Sequence, residues 1–94
     1  MIEYQFTPKA KEAKTTAIEL DSNVFEPLGS VETEVFDTIF LRHKEDSTTR
    51  LRVRYSLKEQ ALAEITLNTN NTTYAYKIQE ELKSAGWKLE NYLI

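Results

Sequence analysis

The sequence predicts a small α+β domain: a largely antiparallel sheet of four to five strands with one or two helices packed on one face, in the order β-(α)-β-β-β-α-β. Three observations carry this. From Arg50 to Leu57 apolar and basic residues alternate without a fault, the period-2 signature of a strand with one buried and one wet face. From Tyr74 to Ala85 the residues Tyr74, Ala75, Ile78, Leu82 and Ala85 fall in one sector about 100° wide, the core-facing stripe of a helix. Ninety-four residues, 40% of them hydrophobic, suffice for one core and one domain spanning 1–94.

Taken in order, Ile2, Tyr4 and Phe6 alternate with Glu3 and Gln5 as a first strand. Thr7-Pro8 reads as an N-cap with proline at the first helical position. Ala10, Ala13, Ala17 and Leu20 then recur at helical spacing, although the β-branched Thr15, Thr16 and Ile18 leave a strand over 15–20 as the alternative. Asp21 to Ser30, with Pro27 and Gly29, reads as a loop. Val31 to Lys44 is β-rich with apolar residues on both parities, which suggests a bulge or a strand covered on both faces. The polar run Glu45-Asp46-Ser47-Thr48 turns into the Arg50–Leu57 strand, with Leu51, Val53, Tyr55 and Leu57 directed at the core.

Lys58-Glu59-Gln60 is a second turn. Ala61, Ala63, Ile65 and Leu67 alternate through a third consecutive strand, with helix the competing reading for 58–64. Asn68 to Thr73 is a loop. The Tyr74–Ala85 helix ends at Gly86, where a left-handed residue is wanted. Trp87, Leu89 and Leu93 share a parity in a last strand. If that strand returned beside the one preceding the helix, a right-handed crossover would follow. The middle order, helix, three strands, helix, over about Pro8 to Ala85, is similar in topology to the double-stranded-RNA-binding domain. That family carries a lysine cluster at the start of its second helix, where this chain has Asn71-Thr72-Thr73-Tyr74; membership is not assigned.

Composition excludes more than it assigns. There is no cysteine, so disulfides, thiolate metal sites and a cysteine nucleophile are out. One histidine and no cysteine make no usual zinc site, and two glycines, Gly29 and Gly86, make no phosphate-binding loop. Ser30, Ser47, Ser56 and Ser84 sit in no nucleophile motif. No apolar run approaches the roughly 20 residues that span a bilayer, and the start has no basic n-region. The expectation is a cytoplasmic protein without cofactor, metal or membrane partner, and not an enzyme. His43 shares the parity of Leu41 and Ile39 and reads as structural. The carboxylate pairs Glu32/Glu34 and Glu80/Glu81 read as solvated acids.

The distribution of charge stands out. Val35 to Lys58 carries six basic residues against three acidic ones, whereas Met1 to Glu34 carries three against seven, within a net charge of -3. In a hairpin, same-parity residues share a face, so Arg42, Lys44, Arg50, Arg52 and Arg54 are expected together, with Phe36 and Phe40 beside them. Arginines interleaved with aromatics suit bidentate anion contact and stacking; the plainer reading is the solvated side of a half-exposed sheet. Tyr76 projects on the charged side of its helix, a candidate interface anchor. The preferred expectation is a protein-interaction module (a regulator, an inhibitor, or a phage or mobile-element accessory protein, by association of size and class alone) that binds an acidic partner through this face. Nucleic acid is the alternative, weakened by a pI near 5.2. A homodimer through the Trp87–Ile94 edge is a further possibility.

Overall fold

The computed structural model describes residues 1–9 and 24–93. Six strands and one helix follow in the order β1 (Ile2–Pro8), β2 (Phe25–Glu32), β3 (Phe36–His43), β4 (Asp46–Ser56), β5 (Ala61–Thr69), α1 (Thr72–Ser84) and β6 (Trp87–Leu93). They form one sheet in the order β2-β3-β4-β5-β1-β6, with every neighbouring pair antiparallel. The α+β expectation therefore stands in its coarse form, with six strands rather than four or five and one helix among the described residues. The helix or strand expected over 10–20 lies outside the described residues.

β1 is sandwiched between β5 and β6. β5 and β6 are both antiparallel to β1 and so run parallel to each other. The last strand thus does not lie beside the strand preceding the helix, as one expectation had it; β1 fills that place. Ladder pairing also draws Thr7 and Pro8 into β1, opposite Lys88 and Trp87, and Lys9 continues it by donating its N–H to the Gly86 carbonyl at 2.8 Å. Thr7-Pro8 is therefore the end of a strand and not a helix start.

The stretch read as a loop, from Asp21 to Ser30, contains most of β2. Pro27 and Gly29 are tolerated because β2 is an edge strand and its register shifts between Pro27 and Gly29, leaving Leu28 as the extra residue. Val31 to Lys44 is likewise not one strand. A turn at 33–35 divides it, held by the Thr33 hydroxyl oxygen, which accepts from the Val35 and Phe36 N–H groups at 3.3 and 3.0 Å.

The inner face of the sheet carries the core. Phe6, Leu51, Ile65, Leu67 and Trp87 meet Ile78 and Leu82 of α1, with Phe25 at the β2 end. The stripe read from sequence is the one buried, except that Tyr74 and Ala85 are only partly covered. The helix starts two residues earlier than read, at Thr72, because the Asn71 side-chain oxygen accepts from the Tyr74 N–H at 3.1 Å. Gly86 closes it with φ +93°, donating to the Lys83 carbonyl at 3.1 Å.

Three parity assignments change. The shift in β6 sets Tyr92 opposite Tyr4 and Leu93 opposite Glu3, so Leu93 leaves the face of Trp87 and Leu89 and is exposed. The register shift opposite Arg54/Tyr55 makes Ala63 an extra residue in β5, so Leu62 faces Tyr55 and packs against the core. Leu57 lies beyond the end of β4, in the turn, and is exposed. Both sheet edges are interrupted: β2 by Pro27 and its bulge, β6 by a shift that leaves Glu90 extra, flanked by a Lys88–Glu90 ion pair of 3.1 Å. Bulges and charges of this kind blunt an edge against further strand pairing.

Candidate functional site

The site is built by register. Arg50, Arg52 and Arg54 of β4 point away from the side of Leu51 and Val53, because successive side chains of a strand alternate. Arg42 lies directly opposite Arg50, Phe40 opposite Arg52 and Thr38 opposite Arg54. On the other flank Asn68, Thr66 and Glu64 stand opposite the same three arginines. β2 contributes Glu26 opposite Arg42. Since α1 buries its apolar stripe against the inner face, no described helix or strand lies over this outer face.

Four arginines and two phenylalanines expected together are thus brought onto one face: Arg42, Arg50, Arg52, Arg54, Phe36 and Phe40. Lys44 is not among them. It occupies the two-residue turn between β3 and β4, where its N–H donates to the Val24 carbonyl at 2.8 Å. Tyr76 is also apart, 67% exposed on α1, on the element that covers the opposite side of the sheet.

The arginines differ in what holds them. Arg42 donates through Nε (2.9 Å) and Nη2 to Oε1 of Glu26. Arg52 reaches Oε1 of Glu64 at 3.4 Å and the Thr66 hydroxyl at 3.2 Å, and that hydroxyl in turn donates to the same Glu64 oxygen at 3.1 Å. These side chains remain about one-third exposed (39% and 37% for Arg42 and Glu26, 37% and 31% for Arg52 and Glu64), so the pairs are of the solvent-screened kind. Arg54 lies 4.9 Å from the Phe36 ring centroid, a cation–π arrangement, and its Nε is buried without a hydrogen-bond partner. Arg50 is exposed and donates from Nε to the Ser47 carbonyl at 3.2 Å. Within β2–β5 this face carries four arginines against two glutamates.

Those two glutamates are what reading the sequence missed. Glu64 could have been found, since it alternates into the face opposite the arginines. Glu26 could not, because its stretch resembled a loop and a bulge sets its register.

A second polar cluster lies at the end of the sheet near the N-terminus of α1. His43 is buried, as its parity indicated. Its ring stacks on Tyr74 at 4.2 Å and meets the edge of Phe25 at 5.5 Å, and Nδ1 accepts the Glu45 N–H at 3.1 Å. That acceptor role places the proton of the neutral ring on Nε2. Burial, and the nearby charge of Glu45, raise the Tyr74 phenol above its ordinary value. Asp46 accepts from the Thr48 hydroxyl and N–H and from the Thr49 hydroxyl; these bonds, those from Thr48 foremost, lower its carboxyl below the usual aspartate value. The His43–Tyr74 stack ties the end of β3 to the start of α1, the other contacts brace β2 and the β3–β4 turn, and all of this is structural work.

Among the described residues no three His, Asp or Glu side chains gather as a metal site, and no helix is long and apolar enough to cross a membrane. Glu32 pairs with Asp37 at the end of β2, while Glu34 sits in the turn. No protein-family model matches this chain, and neither a curated protein nor a solved structure matches it.

Proposed function

We propose that this protein is a non-catalytic interaction module, working in the cytoplasm, that binds an acidic surface of another protein through the outer face of β2–β5. The observation that carries the reading is the arrangement of Arg42, Arg50, Arg52 and Arg54 on one sheet face that no described element covers. Two features add to it. Arg42 and Arg50 are directly opposite each other, an unfavourable pairing of like charges that an incoming anion relieves. Phe40 and Phe36 supply apolar surface beside the guanidinium groups, the mixture of aromatic and arginine in which interface energy concentrates.

The test is purification of the tagged protein from its native host beside an Arg50→Ala/Arg52→Ala/Arg54→Ala variant. A partner with an acidic surface should co-purify with the wild type, dissociate as salt is raised, and be lost with the variant. Equal recovery by both would refute the assignment of this face. Nucleic acid is a second reading, supported by the guanidinium of Arg54 lying over Phe36, since cationic and aromatic groups together suit single strands. It requires binding to random single-stranded DNA that falls steeply with salt.

A further inference from the structure

The glutamates already seated on the arginine face show what kind of group fits it. Arg42 takes a carboxylate oxygen of Glu26 through two donors, and Arg52 takes one of Glu64 with the Thr66 hydroxyl bridging. Among the described residues no carboxylate holds Arg50, which leans on the Ser47 carbonyl. Arg54 lies on Phe36 with an unmet Nε. Among the described residues, carboxylates therefore hold two of the arginines and not the other two.

Spacing narrows what can fill them. Arg50, Arg52 and Arg54 are alternate residues of one strand, so they repeat along it at about 6.6–6.8 Å. An extended segment presents its own same-side groups at the same interval, one every second residue. A helix instead offers a group every fourth residue at about 6 Å, and each successive one turns further from the line. Resting on the reading of this face as protein-binding, we infer that its ligand is an extended segment with acidic residues at alternate positions, laid along β4, and that Glu26 and Glu64 are internal stand-ins which its carboxylates displace. Exchange costs little because both internal pairs are partly open to solvent and so screened. The segment lies over the face, as one sheet layer packs on another, and does not extend an edge.

The experiment uses labelled synthetic peptides of about twelve residues: one alternating Glu and Thr, one of the same composition with all Glu in a block, and one helical with Glu every fourth residue. Fluorescence anisotropy at low salt measures each against the wild type and against Glu26→Gln/Glu64→Gln. Glutamine keeps hydrogen-bonding capacity toward Arg42 and Arg52, and urea unfolding of the variant confirms that it folds. The alternating peptide should bind the wild type several-fold more tightly than the block or helical one. Removing the internal carboxylates should then tighten it a further threefold or so, the gain expected when two weak pairs need not be broken. Equal binding of alternating and block peptides, tighter binding of the helical one, or weaker binding by the variant overturns the inference while leaving an acidic partner in place. Failure of every peptide together with tight binding of a single-stranded oligonucleotide overturns the underlying reading as well. If the variant does not fold, the comparison of peptides on the wild type decides alone.

Discussion

Thr49 and Thr69 are deeply buried, 0% and 1% exposed, and their Oγ1 atoms are 2.7 Å apart. Proton accounting fixes the direction of the bonds. Thr49 has one hydroxyl proton, and Asp46 Oδ2 at 2.9 Å, an acceptor only, takes it. Thr69 must then donate to Thr49, and its own lone pair receives the Asn71 N–H at 2.9 Å. The result is a chain from Asn71 through Thr69 and Thr49 to Asp46, linking the start of α1 to the β3–β4 turn. Thr49→Val keeps the shape and removes two of these bonds, which costs about 2 kcal/mol at roughly 1 kcal/mol each. For a domain of this size that is a fall in Tm of order 10 °C. Thr69→Val should cost a similar amount. The double variant should fall short of the sum by about 1 kcal/mol, because the shared bond can be lost only once. Urea unfolding followed by the fluorescence of Trp87, the one tryptophan and 1% exposed, measures all three. A Thr49→Val variant within about 0.5 kcal/mol of wild type, or strict additivity in the double, would refute the chain of bonds as drawn.

Three further outcomes follow from features of the same fold. The Asp46 carboxyl is held below its ordinary value near 3.8, so its contribution is full above that value and is lost as pH falls below it; Asp46→Asn should shrink the drop in urea midpoint between neutral pH and pH 3, and an unchanged drop would assign acid sensitivity elsewhere. Asn71→Ala removes the side-chain acceptor of the Tyr74 N–H and should lower stability by about 1 kcal/mol, with Asn71→Asp close to wild type in the same urea titration. Gly86→Ala forces a Cβ onto a residue at φ +93° and should cost about 1–2 kcal/mol; a neutral result in thermal unfolding would mean that the backbone there relaxes freely.

How much of this was legible in the sequence depends on local regularity. The Arg50–Ser56 strand and the stripe of α1 were readable because each keeps its period over many residues without interruption, and tertiary packing agrees with the local pattern. β2 was not, since Pro27, Gly29 and Ser30 are the vocabulary of loops, and only an edge position with a bulge makes them a strand. Parity failed wherever a residue was inserted: Ala63 in β5 moves Leu62 to the core side, and one such slip reverses every side chain beyond it. Lys44 was misplaced for the related reason that the strand ends at His43. The pairing of β6 with β1 was invisible to local reasoning, as nothing within Trp87–Leu93 names its neighbour. Of the candidate site, the arginines were found by alternation, whereas their partner Glu26 depended on a register no short-range signal encodes.

The position of β1 between β5 and β6 has a consequence for how the chain is assembled. Its two ladders join Ile2 to Thr69 and Glu3 to Leu93, so this segment pairs only with partners 59 or more residues further along the chain. Its side chains Tyr4 and Phe6 stay unpaired until the far end of the domain has emerged, and contacts this distant along a chain are slow to form. Deleting Ile2–Pro8 would therefore strand β6 as well, since β1 is its neighbour in the sheet, and two strands would leave the sheet with a single deletion.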